Sequence, residues 1–227
     1  MKRWELLGAT ATPDGTDIRL MRRDDEYVML ANGRPLMSSR LHGSEEALAT
    51  LGCREARRLT HPRVLVGGLG MGFTLRAVLD VLPSAAVVTV AELVPAVIQW
   101  NREPLAALAG NPLQDRRVRV EVADVGFTLR ANCGRFDAIL LDVDNGPSAF
   151  TVGVNAGLYD NSGVAAAYAA LTPKGTFAIW SAWEDTQFER RLRMSGFAVE
   201  AVRVRARLKK GGPRHTIFLA HKDGSTS

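Results

Sequence analysis

The chain has 227 residues, of which 46% are hydrophobic and 23% charged, and it carries a formal net charge of +5 at pH 7. These proportions exclude a largely disordered chain, and since no run of about 18 apolar residues is present, no membrane span is predicted. Cys53 and Cys133 fit no metal-ligand or C-x-x-C spacing, so no metal site is expected and the cytoplasm is predicted as the location.

The first 43 residues have the short, turn-rich pattern of an antiparallel β-sheet. The dipeptides Asp14-Gly15 and Asn32-Gly33 favour tight turns between strands. We therefore expect a small β-hairpin cap at 1–43, a main domain at 44–222 and a frayed tail at 223–227. The strands predicted for the cap are Trp4–Thr10, Asp17–Arg23, Glu26–Ala31 and Arg34–Met37.

Helices and strands alternate from Ser44 onward. Ser44 is a candidate N-cap for a helix that is predicted to run to about Arg58. Continuous apolar runs such as 138–141 predict strands buried on both faces, as in a parallel sheet between two layers of helices. The predicted strands are Arg63–Gly67, Val87–Glu92, Val118–Val122, Phe136–Asp142 and Thr176–Trp180. The predicted helices are Gly72–Leu82, Pro95–Leu108, Val125–Arg130, Val164–Leu171 and Glu184–Met194.

Two β-like runs, Phe197–Arg205 and His215–His221, end the pattern. The segment 210–213 that joins them is too short for a crossover helix, so the two strands must pair antiparallel. A parallel sheet completed by one antiparallel hairpin strand is typical of class I methyltransferases rather than dehydrogenases. The predicted fold class is therefore α/β, with a doubly wound, mostly parallel seven-stranded sheet and an N-terminal β cap.

The segment 64–72 carries the clearest chemical signal. Three β-forming residues lead into glycines spaced G-x-G-x-G, and Glu92 follows Gly72 by twenty residues, at the end of the next strand. In a β-α-β unit this arrangement brings backbone amides to a ligand and places a carboxylate to accept from ribose hydroxyls. We predict a nucleoside site formed by Gly68, Gly70, Met71, Gly72, Glu92 and Leu93.

Acidic residues follow the next two strands. Asp124, with Val125 beside it, can accept from the exocyclic amine of adenine, or it can act as N-cap of the helix that begins there. Asp142 follows the fourth strand and is predicted to contact the nucleoside ligand and to take part in the chemistry.

The segment 63–181 resembles the spermidine synthase branch of the S-adenosylmethionine-dependent methyltransferase superfamily. The resemblance implies binding of an adenosyl sulfonium, either S-adenosyl-L-methionine or decarboxylated S-adenosylmethionine, and it suggests a homodimer. It is carried by Gly68, Gly70, Gly72, Glu92 with the helix behind it, Asp124 and the strand Phe136–Asp142.

The chain also departs from that family. Met71 stands where aminopropyltransferases carry an aspartate that holds the amine of the decarboxylated donor, and Asn145 stands where they carry the catalytic aspartate. Asparagine cannot accept a proton from an ammonium, although Asp144 is one position away and can substitute for the missing carboxylate. The family's tyrosine and histidine fall near Ser44 and Glu45.

These departures favour a methyltransferase that acts on a small-molecule acceptor. Aminopropyl transfer to a polyamine and a non-catalytic adenosyl-nucleoside-binding protein are the alternatives. Nucleic acid is not an expected partner, because in the basic cluster at 203–214 the arginines at 203, 205 and 207 alternate as on the solvated face of a strand. The catalytic candidates are Asp142, Asp144, Asn145 and His42, and the candidates for binding the acceptor are Tyr159 and Trp183.

Overall fold

The cap is an antiparallel meander of four strands. In a computed structural model, which describes residues 3–143, 146, 156–207 and 212–224, its strands are β1 (Glu5–Ala11), β2 (Asp17–Arg23), β3 (Glu26–Ala31) and β4 (Arg34–Ser38). Asn32 and Gly33 between β3 and β4 both have positive φ, at 49° and 75°, as a two-residue hairpin turn requires. The predicted β cap is confirmed.

The main sheet has seven strands, and its order is β10-β11-β9-β8-β5-β6-β7. Only β11 runs against its neighbours among these strands, so the sheet is mostly parallel and the predicted fold class is confirmed. The helices and strands are, in chain order, α1 (Gly43–Gly52), β5 (Arg63–Gly67), α2 (Phe73–Val81), β6 (Val87–Glu92), α3 (Pro95–Arg102), β7 (Val118–Val122), α4 (Val125–Arg130), β8 (Phe136–Leu141), α5 (Ala156–Tyr159), α6 (Asn161–Ala170), β9 (Leu171–Ser181), α7 (Thr186–Met194), β10 (Phe197–Arg205) and β11 (Arg214–Lys222).

Alternate side chains of the central strands face opposite layers of helices. Along β8, Ala138 and Leu140 belong to the apolar cluster that contains residues of α1, α2 and α3, whereas Ile139 and Leu141 belong to the cluster that contains residues of α4, α6 and α7. All four side chains are fully buried. The continuous apolar run therefore marks a strand that is covered on both faces.

Two predicted helices are shorter in the structure. α1 ends at Gly52, beyond which the Arg54, Arg58 and Leu59 amides bond carbonyls three residues back, the last two of them around a 3₁₀ turn at Ala56–Arg58. α3 ends at Arg102, beyond which the Leu105 amide reaches back five residues to the Trp100 carbonyl. His42, not Ser44, is the N-cap residue of α1, so Ser44 lies inside the first turn.

The cap packs directly on the main sheet's helices. Ile18, Leu20 and Met29 share one apolar cluster with residues of α1, α2 and α3. At Gly8 a Cβ atom would lie 2.5 Å from the indole nitrogen of Trp100, so β1 and α3 approach closely. None of the helices in the described part of the chain combines the length and hydropathy needed for a membrane span.

Candidate functional site

A cavity of about 410 Å³ lies where the parallel strands end. Ligands of open α/β sheets bind at this edge, and the volume is in the usual range for a small-molecule site. Residues at or directly after the carboxyl ends of β5, β6, β7, β8 and β9 form its floor, and the start of β11 forms one side. The cap closes it from above with Thr12, Ile18, Met29, Pro35, Leu36, Met37 and Ser38.

The loop after β5 lies against the cavity with its backbone. Gly68 has a φ of +87°, and a Cβ atom there would lie 2.5 Å from the Asp142 carbonyl oxygen. A Cβ atom on Gly70 would lie 2.7 Å from the Met37 methyl group of the cap. Asn101 fixes the loop from behind, since its amide donates to the Gly70 carbonyl at 2.8 Å. Side chains at positions 68 and 70 would thus disturb the cavity wall.

Met71 and Gly72 belong to the same loop but do not line the cavity. The Met71 side chain is buried in the apolar cluster under the loop, with 1% of its surface exposed. Gly72 is the N-cap residue of α2, and a Cβ atom there would meet Asn101 and Pro112. A carboxylate at position 71 would therefore face the apolar core in this structure.

Glu92 ends β6 and faces the cavity from a buried position. Its Oε2 accepts from the Leu69 amide and its Oε1 from the Val94 amide, each at 2.9 Å. Burial raises the pKa of this carboxyl, and the backbone amides oppose that rise by stabilising the charge. The amides hold both oxygens in place, and each oxygen keeps a lone pair that can accept a ribose hydroxyl.

Asp124 combines the two roles that the sequence left open. Its Oδ1 accepts from the Phe127 amide at 3.0 Å and so caps α4, while the residue also lines the cavity. Val125 and Leu93 line the same part of the wall. A carboxylate between apolar side chains is an arrangement that can hold a purine and accept from its amine.

Asp142, directly after β8, lies opposite Glu45 of α1, and both carboxyls line the cavity. The Thr74 hydroxyl donates to Asp142. Removal from water raises the pKa of both groups; for Glu45, burial and then the charge of Asp142 raise the pKa to about 8. The cavity therefore contains a pair of acids that tends either to keep a proton or to bind a cation.

A short chain of hydrogen bonds leads from Glu45 to β11. The buried Ser44 hydroxyl donates to Glu45 Oε2 at 2.6 Å, and the same oxygen lies 3.0 Å from His215 Nδ1. The imidazole is half-buried and packs edge-on against Trp180 with ring centroids 4.6 Å apart. Burial lowers the pKa of His215, which favours the neutral ring. All four of these residues line the cavity.

Besides Met71 and Gly72, three more predicted site residues lie outside the cavity lining. His42 bonds Glu46 through Nδ1 at 2.8 Å and stacks on Phe73 with centroids 4.2 Å apart. The buried Tyr159 donates to the Val143 carbonyl at 3.1 Å, and Trp183 lies beyond Ser181 with 53% of its surface exposed. The catalytic candidates Asp144 and Asn145 are outside the described residues.

The charges around the cavity have one sign. Four carboxyl groups line it, and among the described lining residues none is a lysine or an arginine. The remaining wall is mostly apolar. This arrangement favours a ligand that is cationic, has an apolar body and carries no carboxylate of its own.

Comparisons with known proteins agree with the geometry of the cavity. A family model of the spermine/spermidine synthase domain matches residues 42–195, about two thirds of the chain. The chain belongs to the spermine/spermidine synthase family. This membership confirms the resemblance seen in the sequence and supports a transferase whose donor derives from S-adenosylmethionine.

Solved structures show the same fold at low sequence identity. A spermidine synthase from Thermotoga maritima is 18% identical with a TM-score of 0.73, over 97% of this chain and 74% of that one. A spermidine synthase in complex with the transition state analogue AdoDATO is 21% identical with a TM-score of 0.76, over the same shares. A probable spermidine synthase from Corynebacterium glutamicum ATCC 13032 is 18% identical with a TM-score of 0.67, over 97% and 81%. No curated protein matches the sequence.

The prediction of methyl transfer is wrong. The family model and the similar structures are those of spermidine synthases, which supports the alternative prediction of aminopropyl transfer. The prediction failed because it treated the aspartate missing at position 71 as the loss of the cavity's negative charge. In the structure Glu45 provides a carboxylate from α1, across from Asp142.

Glu45 and His215 are the cavity residues that the sequence-based prediction missed. Glu45 shares a helix face with Leu48, Ala49 and Gly52, all of them buried. An acid on an otherwise apolar i, i+3, i+4, i+7 face needs a partner or a function, so this pattern was available in the sequence. No comparable signal marks His215, because it reaches the cavity only through the pairing of β11 with β9.

Proposed function

We propose that this protein transfers the aminopropyl group of decarboxylated S-adenosylmethionine to an amine acceptor. The observation that carries the proposal is the cavity lined by four carboxyls and, within the described lining, by no lysine or arginine. Family membership supports the same reaction. The homodimer and the cytoplasmic location suggested by the sequence remain predictions.

The donor fits the cavity by charge and by shape. Glu92 accepts the ribose hydroxyls, and Asp124 accepts the adenine amine between Leu93 and Val125. Asp142 follows β8, which is separated from β6 by β5, and there it attracts the cationic aminopropyl end. S-adenosylmethionine would bring its own carboxylate into this acidic cavity, where the described lining offers no lysine or arginine to pair with it.

The reaction needs alignment more than acid–base help at the donor. When an amine attacks the carbon next to the sulfonium, the new C–N bond forms as the C–S bond breaks, and its electron pair stays on sulfur. The released thioether, 5′-methylthioadenosine, is neutral. The apolar wall excludes water, and the cap residues Met29 and Met37 close over the reacting groups.

The test is product formation. The purified protein is incubated with decarboxylated S-adenosylmethionine and a panel of amines that includes 1,4-diaminobutane, and 5′-methylthioadenosine and the alkylated amine are measured by mass spectrometry. We expect both products in equal amounts. The proposal is overturned if no amine gives product although 5′-methylthioadenosine binds to the protein.

A matched pair of variants checks that the described cavity is the site. Glu92→Gln weakens two ribose contacts and should lower kcat/KM by about 100-fold, since charge-assisted hydrogen bonds contribute about 1.5–3 kcal/mol each. Glu121 is on β7 and does not line the cavity. Glu121→Gln should therefore leave kcat/KM unchanged. Equal effects of the two substitutions would place the donor elsewhere.

A further inference from the structure

The acceptor amine must lose a proton before it can attack. An alkyl ammonium has no lone pair, so one proton has to pass to a base in the cavity before the new C–N bond forms. The resemblance to aminopropyltransferases implies that an aspartate accepts this proton in those enzymes. This chain has Asn145 at that position, and a neutral amide is not a base at physiological pH. A carboxylate elsewhere in the described wall of the cavity can take this role.

Glu45 has the geometry for this role. It is buried in the first turn of α1, lines the cavity opposite Asp142, and accepts the Ser44 hydroxyl at 2.6 Å. Asp142 is already engaged by the Thr74 hydroxyl. Burial and the charge of Asp142 both favour the protonated form of Glu45 and make it a stronger base than an exposed carboxylate, while the Ser44 hydrogen bond offsets part of that effect.

The three side chains form a continuous path for a proton. The Ser44 oxygen lies between Glu45 Oε2 at 2.6 Å and His215 Nδ1 at 3.0 Å. A hydroxyl has one proton, so when Ser44 donates to an ionised Glu45 it must accept from Nδ1–H of His215. When Glu45 is protonated the direction reverses, and Ser44 donates to an unprotonated Nδ1.

We propose, on the basis of the proposed aminopropyl transfer, that Glu45 takes the proton of the acceptor ammonium and that Ser44 and His215 remove it between turnovers. In the first step the ammonium N–H bond breaks and an O–H bond forms on Glu45, which leaves the amine lone pair free to attack. In the second step Glu45 gives its proton to Ser44, Ser44 gives its own to Nδ1, and Nε2 releases one to water. The ring is left with its proton on Nδ1, which donates to Ser44 while Glu45 is ionised, and that proton moves to Nε2 by exchange with water once Glu45 is protonated again.

The charged groups around Glu45 determine the pH range in which it ionises. Asp142 from β8 and Glu46 on the same helix both raise the pKa of Glu45, and burial raises it most, to about 8. His215 from β11 reaches it only through Ser44, and burial lowers the pKa of that ring. The rate of transfer should therefore rise with pH as Glu45 ionises, and a bound cationic donor should move the rise to lower pH.

The decisive experiment is a pH profile of single-turnover transfer to 1,4-diaminobutane. Glu45→Gln should lower the rate about 100-fold near pH 7 and remove the part of the pH profile that belongs to Glu45, so that only the rise from deprotonation of the amine itself is left, while the affinity for 5′-methylthioadenosine stays within about twofold. Glu46→Gln is the matched control, since Glu46 is on the same helix, pairs with His42 and does not line the cavity. Its maximal rate should not change, and because Glu46 contributes least to the raised pKa of Glu45, its pH profile should move only slightly, to lower pH. A Glu45→Gln rate within about threefold of wild type, or an unaltered profile, would overturn the inference.

A second variant tests the path beyond Glu45. His215→Ala should lower kcat about tenfold under steady-state conditions, and added imidazole should restore it, because imidazole can occupy the vacated space beside Ser44. A purely structural role for His215 predicts no rescue by imidazole. Absence of rescue in a variant that melts at the wild-type temperature would remove His215 from the path.

A spectroscopic measurement separates failure of this inference from failure of the proposed function. Infrared spectra of the wild type across about pH 5 to 9 should contain a protonated-carboxyl band that is missing in Glu45→Gln and that shifts in Ser44→Ala. If no amine is a substrate but these changes appear, the aminopropyl transfer is refuted and the proton path stands. If product forms but the band is unchanged in both variants, the proton path is refuted.

Discussion

Replacing Glu45 by glutamine should make the protein more stable at alkaline pH. Glutamine keeps the shape of the side chain and an oxygen that accepts the Ser44 hydroxyl, but it has no proton to lose. In the wild type, folding raises the pKa of Glu45 from its ordinary value of 4.5 to about 8, so the folded state binds a proton that the unfolded state releases. Stability from this group is therefore complete at low pH and is lost as pH rises towards 8.

The gain in stability expected for Glu45→Gln follows from the rise in the pKa of Glu45. Each pKa unit corresponds to about 1.4 kcal/mol, so a rise from 4.5 to about 8 corresponds to an upper limit of about 5 kcal/mol. Asp142 also holds a raised pKa and can take up part of the charge, which leaves an expected difference of about 3 kcal/mol. For a chain of this length, that raises the melting temperature by roughly 6–12 °C.

The assay is thermal unfolding of both proteins between about pH 5 and 9, without ligand. Glu45→Gln and wild type should melt close together at about pH 5, and the variant should gain steadily as pH rises. Glu46→Gln should show no such widening, because Glu46 is only partly buried and bonded to His42. Parallel curves for Glu45→Gln and wild type across the whole range would refute the reasoning.

Three further substitutions test the loop, the core and a helix cap. Gly68→Ala should weaken binding of 5′-methylthioadenosine at least tenfold in calorimetry, because the new Cβ would lie 2.5 Å from a backbone carbonyl oxygen. Gly134→Ala is the control, since Gly134 also has a positive φ but has open space around it. This substitution should lower the stability by about 1 kcal/mol and leave the affinity unchanged. Phe188→Ala should cost about 3–5 kcal/mol in urea unfolding, since the ring is fully buried between Tyr159 and Phe218. Asp160→Ala should cost about 1 kcal/mol by removing the bond from the Gly163 amide at the start of α6, and Asp160→Asn should restore most of it. Losses below about 0.3 kcal/mol for either Phe188→Ala or Asp160→Ala would contradict the packing and capping described.

The sequence predicted those parts of the fold whose signals are local. The glycine turn, the buried strands and the acid at Glu92 are all encoded within about thirty residues, and the antiparallel last strand followed from the short segment before β11. Helix ends were less predictable. The end of α3 depends on an amide that bonds five residues back, and no residue type in the sequence marks that change.

The acceptor side of the cavity could not be predicted in the same way. Ser44, Glu45 and His215 are separated by 171 positions at the extremes and meet only because α1 packs across the strand pair β9 and β11. The negative charge of the cavity therefore comes from a helix that precedes the nucleotide loop, not from the loop itself. Position 71 misled the prediction for the same reason, since its side chain points into the core.

The most direct test of the acidic cavity is a calorimetric comparison of two donors that differ by one carboxylate. Decarboxylated S-adenosylmethionine should bind at least tenfold more tightly than S-adenosylmethionine, a difference of about 1.4 kcal/mol or more. Both affinities should fall in Glu92→Gln, because both ligands carry the same ribose. Equal affinity for the two compounds, or tighter binding of S-adenosylmethionine, would contradict the claim that this cavity selects a cationic donor without a carboxylate.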